Sequence, residues 1–180
     1  MQIRPSQESD RGAISRLHVS AFGPAQGPAI AALVEELFDD PTAEPILSLV
    51  AVSDTMLVGH ILFTAVTIPS KPQRSMQILA PLAVANEYQG AGVGGLLITE
   101  GLQQLAGSGV ELVFVLGHPG YYSRYGFQPA GVQGFTAPYS IAPEHADAWM
   151  VHELVAGALS GNEGRIQCAE ALNQPQHWQE

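Results

Sequence analysis

The chain has 180 residues, about the length of one domain, and its hydrophobic content of 46% is sufficient for a packed core. Its formal net charge is -10, with only seven Lys and Arg, which argues against nucleic-acid binding and against a polybasic membrane anchor. Cys168 is the only cysteine, so an intrachain disulfide and a cysteine-based zinc cluster are both excluded.

The N-terminal residues lack the apolar core of a signal peptide, and no apolar run approaches the roughly 20 residues of a membrane helix. The sequence contains no internal repeat. We therefore expect a cytoplasmic protein with no membrane partner, no nucleic-acid partner and no metal.

Two helices are predicted near the N-terminus. The first begins at about Ser9, carries its apolar residues on one face, and ends at Gly23-Pro24. Pro28 suits the first turn of the second helix, whose apolar stripe extends to Leu37. Asp39-Asp40-Pro41 ends this helix.

Three strands are predicted next. Residues 46–52 and 56–68 are apolar and rich in β-branched side chains, and the polar residues 53–55 between them indicate a hairpin. Residues 77–84 form the third strand. Because Pro81 has no N–H to donate within that strand, we expect a bulge or an unpaired edge there.

A strand, a glycine-rich loop, a helix and a second strand follow one another in the middle of the chain. Residues 93–105 show helical spacing, Gly107-Ser108-Gly109 ends the helix, and residues 110–116 form a nearly all-apolar strand. This order predicts two parallel strands joined by a right-handed crossover. Beyond residue 128 the best predicted strand is 149–155.

The glycine-rich loop Gln89–Gly95 is the most informative segment. Glycines between a strand and a helix allow successive backbone N–H groups to point toward one place, which also lies at the positive end of the helix. Such a loop binds phosphates without a lysine. The sequence therefore predicts an anion site here.

Two other phosphate-binding motifs fit this loop less well. Gly90, Gly92 and Gly95 match the G-x-G-x-x-G pattern of dinucleotide-binding folds, but there the loop follows its strand directly and an acidic residue ends the next strand. Here the segment 86–89 intervenes, and the next strand ends in Leu116-Gly117-His118. The Gly-Lys-Ser/Thr ending of a nucleoside triphosphate-binding loop is also missing.

Two motifs resemble one known family. Gln89, Gly92 and Gly94 occupy the positions of a Gln/Arg-x-x-Gly-x-Gly/Ala motif, and residues 122–127 are similar to a Tyr-x-x-x-Gly-Phe helix end. At these residues the sequence resembles the GNAT family of N-acetyltransferases. Residues 116–122 most resemble a bacterial subgroup described as YhbS-like predicted N-acetyltransferases. The resemblance spans roughly residues 1–130 in element order.

The resemblance implies an α+β fold of three layers, α/β/α. Its mixed, mostly antiparallel central sheet has helices on both faces and splays open between strands 77–84 and 110–116, at the acetyl-CoA site. Residues 1–180 would form a single acetyltransferase domain, with residues 1–130 as its core. Residues 131–180 would add C-terminal strands that complete or extend the sheet.

The resemblance also implies acetyl-CoA as the co-substrate. Its pantetheine arm would pair with backbone groups in the open sheet, and its pyrophosphate would lie on the glycine loop. Arg124 is one of the few cations near either motif, and we expect it to assist the phosphate end. The expected cofactor-binding residues are Leu82, Ala83, Val84, Gln89, Gly90, Ala91, Gly92, Val93, Gly94, Gly95 and Arg124.

Direct acetyl transfer to an amine requires a base for the amine and an acid for the departing thiolate. By the resemblance at residues 122–127, Tyr122 matches the family's acid position. A phenol with a pKa of about 10 can protonate a departing thiolate of similar basicity when held against it. Tyr121 and Tyr125 are interpreted as packing residues. The base stays open between Glu87, His118 and a water chain, and His60 either faces the acceptor or is a buried, hydrogen-bonded imidazole.

The leading hypothesis is an acetyl-CoA-dependent N-acetyltransferase acting on a small-molecule or peptide amine. A non-catalytic acyl-CoA-binding sensor of the same fold is the alternative, and a nicotinamide-dependent reductase is a weaker one. The acceptor cannot be identified from the sequence. A homodimer is compatible with the resemblance.

Overall fold

The structure is a computed structural model, and it describes residues 1–179. These residues form three α-helices and ten β-strands, with short 3-10 turns between them. The helices are α1 (Arg11–Phe38), α2 (Val93–Gly107) and α3 (Pro119–Tyr122). The strands are β1 (Gln2–Pro5), β2 (Leu47–Ser53), β3 (Met56–Thr67), β4 (Met76–Val84), β5 (Leu112–Leu116), β6 (Gln128–Pro129), β7 (Phe135–Thr136), β8 (Trp149–Glu153), β9 (Gly164–Arg165) and β10 (Gln167–Cys168).

One large sheet carries the fold. Its strand order is β1-β2-β3-β4-β5-β8-β6, with β10 paired to β3, whereas β7 and β9 pair separately. Neighbouring strands of the large sheet are antiparallel except β4 and β5, which are parallel and are joined through α2. The mixed, mostly antiparallel sheet of the expected α+β fold is confirmed, and so is the parallel pair.

Each face of the sheet buries a separate apolar cluster. On one face α1 packs Ile14, Val34 and Leu37 against the strands, together with residues from the segment after β8. On the other face α2 packs Leu97 and Ile98. Helices therefore cover both faces, as the three-layer prediction requires.

The C-terminal residues contribute to this sheet. Strand β8 lies between β5 and β6, with Leu116 opposite Trp149, and β10 pairs with the end of β3. The chain beyond residue 130 thus supplies two strands to the large sheet and part of one apolar cluster.

The sheet splits between β4 and β5. The two strands pair only over Met76–Leu79 and Leu112–Val115, and beyond this point β4 continues to Val84 beside β3 alone. The pairing of β3 with β4 shifts register around Pro81, which has no N–H for the ladder. The predicted bulge at Pro81 and the predicted split are both confirmed, and one edge of Leu82–Val84 has no strand beside it.

Helix α1 is broken at Gly23, whose φ of 82° and ψ of 176° are not helical. Pro24 therefore occupies the first turn of the second half, so the prediction that this half begins at Pro28 is wrong. The break at Gly23-Pro24 itself is confirmed. Strand β5 begins at Leu112 rather than at residue 110, and β8 ends at Glu153 rather than at residue 155.

Candidate active site

The loop between β4 and α2 contains two glycines in the left-handed conformation. Gly90 has a φ of 79°, and Gly92, the residue that caps the start of α2, has a φ of 85°. A Cβ atom at either position would have no protein atom within 4 Å. The backbone conformation favours glycine at both positions. No other part of the protein fills the space beside them, so that space is open to a ligand.

Gly94 and Gly95 are glycines for a different reason. Both are helical, and a Cβ atom on Gly94 would lie 2.5 Å from the hydroxyl oxygen of Tyr121. A Cβ atom on Gly95 would collide with the hydroxyl of Tyr125. These two glycines therefore allow tyrosine hydroxyls to approach the first turn of α2.

Gln89 holds the entry to the loop. Its side-chain Nε2 donates to the carbonyl oxygen of Val84 at 3.1 Å and to Oδ1 of Asn86 at 3.2 Å. These bonds tie the end of β4 to the 3-10 turn Asn86–Tyr88 that precedes the glycines. The side chain of Gln89 thus fixes the loop conformation, and a role in binding would fall to its backbone.

A cavity of about 480 Å³ opens over this loop, and we call it the glycine-loop cavity. The cavity lies at the start of α2. Because the first N–H groups of a helix have no acceptor within the helix, this is the positive end of α2. All the predicted cofactor residues except Ala83 and Ala91 line it. The lining residues are Leu82, Val84, Tyr88, Gln89, Gly90, Gly92, Val93, Gly94, Gly95, Tyr121, Arg124 and Tyr125.

The sequence analysis missed three tyrosines of this cavity. Tyr121 and Tyr125, interpreted as packing residues, do pack against the apolar cluster on the α2 face, and both also line the cavity, as does Tyr88. Tyr121 and Tyr125 are four residues apart, a spacing that places two side chains on the same side of a helix. This spacing, in the short helical segment after His118, was the signal available in the sequence. Burial raises the pKa of Tyr121 to about 12, with the neighbouring Tyr125 adding to the shift.

Arg124 also lines the glycine-loop cavity. Its guanidinium carbon lies 5.4 Å from the centroid of the Tyr121 ring, and its Nε donates to the carbonyl oxygen of Gly120 at 3.4 Å. It is the only Lys or Arg among the described residues that line this cavity. The predicted contact of Arg124 with a phosphate stays a prediction.

A second cavity of about 510 Å³ lies on the side of the split that faces α1, and we call it the α1 cavity. Leu82, in the part of β4 that has no β5 partner, lines both cavities. The walls of the α1 cavity come from four separate segments. These are part of α1 (residues 22–33), β4 (residues 78–82), the end of β5 with its following turn (residues 115–122), and the C-terminal segment (residues 172–179).

Tyr122 lines the α1 cavity, not the glycine-loop cavity. Its ring lies against Gly117, where a Cβ atom would be 2.9 Å from Cδ2 of the ring and nearer still to Cε2. Its backbone N–H donates to the carbonyl oxygen of His118 at 3.0 Å. Gly117 thus permits a close approach that holds Tyr122 at the end of β5, next to the split.

Burial raises the pKa of Tyr122 well above that of an ordinary phenol, and the neighbouring Tyr121 raises it further. The hydroxyl is therefore fully protonated at neutral pH. The protonated phenol lines the α1 cavity and is able to donate a proton to an anion that forms there.

The structure separates the base candidates. His118 is exposed and lines the α1 cavity, whereas Glu87 is exposed and lines neither cavity. His60 is fully buried, with its Nδ1 2.8 Å from Nε2 of His18 and its Nε2 2.8 Å from Oγ of Ser48. Of the two interpretations of His60, the buried and hydrogen-bonded imidazole agrees with this geometry.

The His18–His60 pair joins α1 to the sheet beneath the α1 cavity. His18 stacks on Phe22, which lines that cavity, at 5.9 Å between ring centroids. Burial lowers the pKa of His18 to about 4. Burial also lowers the pKa of His60 well below its ordinary value, with His18 adding to the shift and Asp10 opposing it. Both imidazoles are therefore neutral at physiological pH.

Two further findings concern the described residues as a whole. Among residues 1–179, no three His, Cys, Asp or Glu side chains come together as a metal-binding group would. None of the helices in this range is both long enough and apolar enough to cross a membrane.

Comparison with known proteins gives consistent matches. A family model described as an acetyltransferase (GNAT) domain matches residues 2–130. The uncharacterized N-acetyltransferase YjhQ of Escherichia coli K12 is 45% identical over 167 residues, which cover 92% of this chain and 90% of YjhQ.

Two solved structures share the fold and were determined with a coenzyme. The GNAT family N-acetyltransferase YhbS from Escherichia coli, in complex with CoA, has a TM-score of 0.85 at 32% identity and covers 96% of this chain and 92% of its own. A GNAT family acetyltransferase from Brucella melitensis, in complex with acetyl-CoA, has a TM-score of 0.75 at 28% identity. That match covers 95% of this chain and 97% of the other.

Proposed function

The chain belongs to the GNAT family of acetyltransferases, and from this premise we propose that it transfers acetyl groups from acetyl-CoA directly to an amine. The observation that carries the proposal is the pair Gly90 and Gly92. Their left-handed backbone leaves open space on the wall of a cavity, at the positive end of α2. An acetyltransferase requires such a place for the pyrophosphate of its co-substrate.

The residues around the glycine-loop cavity fit acetyl-CoA. The free N–H groups at the start of α2 would bind the pyrophosphate, and Arg124 would contact a phosphate from the cavity wall. The open edge of Leu82–Val84 would pair with the amide groups of the pantetheine arm, as an added strand would. The bound co-substrate supplies an activated acetyl thioester.

Leu82 is where the thioester and the amine would meet, because it lines both cavities. In the transfer, a bond forms between the amine nitrogen and the acetyl carbon, and the carbon–sulfur bond breaks. Tyr122 donates its hydroxyl proton to the departing sulfur and regains one from solvent. Its raised pKa makes the phenol a weaker acid than a free tyrosine, so the transfer requires that the hydroxyl be held in a hydrogen bond to the sulfur as the thiolate forms.

The amine must lose a proton before or during its attack. Of the two base candidates, His118 is the one that lines the α1 cavity, where the amine would enter. Glu87 would act only through solvent, because it lines neither cavity. A water chain that ends at His118 would serve the same purpose.

Cys168 is buried, and burial raises the pKa of its thiol to about 12. A route through a covalent acetyl-cysteine therefore has no support from that thiol.

Two measurements test this proposal. Acetyl-CoA should raise the melting temperature of the protein, and NADH at the same concentration should not. Amines should then release free CoA thiol from acetyl-CoA in proportion to enzyme concentration. No thermal shift with acetyl-CoA would contradict binding. A shift without amine-dependent thiol release would support the non-catalytic acyl-CoA-binding alternative.

A further inference from the structure

The walls of the α1 cavity carry no charged side chain among the residues that the structure describes. None of the Asp and Glu in residues 1–179 lines this cavity, and neither does any Lys or Arg. Glu36 acts electrostatically on His177, one of the lining residues, but does not itself line the cavity. A cavity whose described walls hold no carboxylate has a specific chemical preference.

Apolar side chains form most of the walls. Phe22, Ile30 and Leu33 come from α1, and Leu116 and Leu172 lie across from them. Trp178 is buried, and its indole N–H already donates to the carbonyl oxygen of Leu172 at 3.0 Å. The wall therefore offers hydrophobic surface rather than free polar groups.

The polar side chains of the cavity are few, and none of those described is a carboxylate, a Lys or an Arg. Gln26 is exposed on α1, and Gln176 and Gln179 are exposed on the C-terminal segment. His118, His177 and Tyr122 complete the set. These groups can hydrogen-bond one or two polar atoms of a ligand, but they cannot neutralise additional cations.

Charge decides between acceptor classes. An amine attacks only in its neutral form, and an apolar cavity favours that form of one amino group. Each further ammonium group would be removed from water without a carboxylate partner, which is strongly unfavourable. Polyamines and aminoglycosides, which carry several cations, are therefore poor acceptors for this cavity.

We infer that the acceptor is a small monoamine, with a single amino group on an aliphatic or aromatic body and no second cation. This inference rests on the proposed function, because it assigns the α1 cavity to the acceptor. An α-amino group, with a pKa of about 7.7–8.0, meets the requirement better than a lysine side chain with a pKa of about 10.4. Apolar amino-acid amides thus represent the class.

Leucinamide and lysinamide are matched probes, because they share the α-amino group and differ in the charge of the side chain. We expect kcat/KM for leucinamide to exceed that for lysinamide by at least roughly tenfold in the thiol-release assay. Gln26→Glu places one carboxylate on the cavity wall and should narrow this ratio. Gln103→Glu makes the same change on the exposed surface of α2, away from both cavities, and should leave the ratio unchanged.

Calorimetric binding of the two amides to the CoA-saturated protein separates this inference from the proposed function. Tighter binding of leucinamide without thiol release would support the acceptor class and contradict the catalytic proposal. Thiol release that is equal or faster with lysinamide would overturn the acceptor class and support catalysis. If the ratio of kcat/KM for leucinamide to kcat/KM for lysinamide is the same in Gln26→Glu and Gln103→Glu, the assignment of this cavity to the acceptor would also be overturned.

Discussion

The two cavities that share Leu82 as a lining residue are built in different ways. Most of the glycine-loop cavity is lined by one segment, residues 82–95, in which left-handed glycines and the first turn of α2 present backbone groups, and residues 121–125 complete it. The α1 cavity has walls of side chains from four segments that are far apart in sequence. Backbone recognition suits a constant ligand such as a coenzyme, and side-chain recognition suits a ligand that differs between relatives.

The difference also divides the tyrosines of residues 121–125. Tyr121 and Tyr125 direct their hydroxyls to the first turn of α2, whereas Tyr122 lies against Gly117 in the other cavity. Adjacent residues of a short helix therefore serve different cavities. Changes at neighbouring positions should consequently have different kinetic effects.

Tyr122→Phe should have the largest effect of all, because it removes the proton that neutralises the departing thiolate and keeps the ring. We expect kcat to fall roughly 10²–10⁴-fold, while the affinity for acetyl-CoA stays near the parental value. Steady-state kinetics and calorimetry provide the two measurements. Tyr121→Phe is the matched control, and it should change KM for acetyl-CoA with kcat near the parental value. Parental turnover in Tyr122→Phe would rule out Tyr122 as the acid.

Acid should weaken the α1 side of the molecule through the buried His18–His60 pair. Both imidazoles have pKa values below the ordinary 6.5 in the folded state, so the unfolded chain binds protons that the folded chain does not. Stability is therefore complete above about pH 6.5 and is lost progressively as the pH falls toward about 4. At pH 5 the loss from His18 alone should be about 2 kcal/mol.

Urea unfolding at pH 7 and pH 5 measures this loss. His60→Gln keeps a hydrogen-bonding side chain beside His18 and Ser48 but removes one titrating ring. The loss of stability between the two pH values should therefore be smaller in this variant. The same pH dependence in both proteins would mean that the pair does not cause it. The acidic residues with lowered pKa values, such as Asp10, titrate below pH 5 and therefore contribute little to the difference in stability between pH 7 and pH 5.

Gly94→Ala tests the backbone side of the comparison. The added Cβ would lie 2.5 Å from the hydroxyl oxygen of Tyr121, and we expect a loss of about 1 kcal/mol in unfolding free energy from this overpacking. Tyr121→Phe removes the obstructing oxygen and should restore the stability of the double variant. Gly107→Ala is the control at the other end of α2, where a Cβ meets nothing within 4 Å, and it should be neutral or stabilising. Equal stability of the two alanine variants would show that Tyr121 does not lie against Gly94.

Arg124→Ala should have the smallest effect. Its guanidinium is exposed, so its contribution to phosphate binding is weak, and we expect a loss of acetyl-CoA affinity of about threefold to fivefold. The loss should be smaller for acetyl-dephospho-CoA, if Arg124 contacts the phosphate that this analogue lacks. Arg16→Ala, an exposed arginine outside both cavities, should change neither affinity. Equal losses of affinity for the two ligands would mean that Arg124 does not contact this phosphate and only stacks on Tyr121.

The glycine-loop cavity was largely predictable from the sequence, because its signals are local. The strand, the loop Gln89–Gly95 and helix α2 follow one another in the chain, and Pro81 marked the bulge beside the split. Leu82, Val84 and Arg124, which were predicted to contact the cofactor, line the glycine-loop cavity. Helix propensity and glycine conformation are properties of short segments, and they are therefore visible in one sequence.

The α1 cavity was not predictable in the same way. Its walls bring residues 22–33 beside residues 172–179, and no pattern within either segment indicates the other. The His18–His60 contact likewise joins residues 42 positions apart. Glu87 was a candidate because of its position in the loop, but a 3-10 turn leaves it exposed and outside both cavities. Long-range packing decides these features.

Titration of acetyl-CoA into the Gly92→Val variant tests the central claim, that backbone at the start of α2 binds the coenzyme. Valine disfavours the φ of 85° and adds a side chain to the open space on the cavity wall. We predict affinity at least about tenfold weaker than in the parent, with Gly107→Val near the parental value. Parental affinity in a folded Gly92→Val protein would contradict the claim and remove the loop from the coenzyme site.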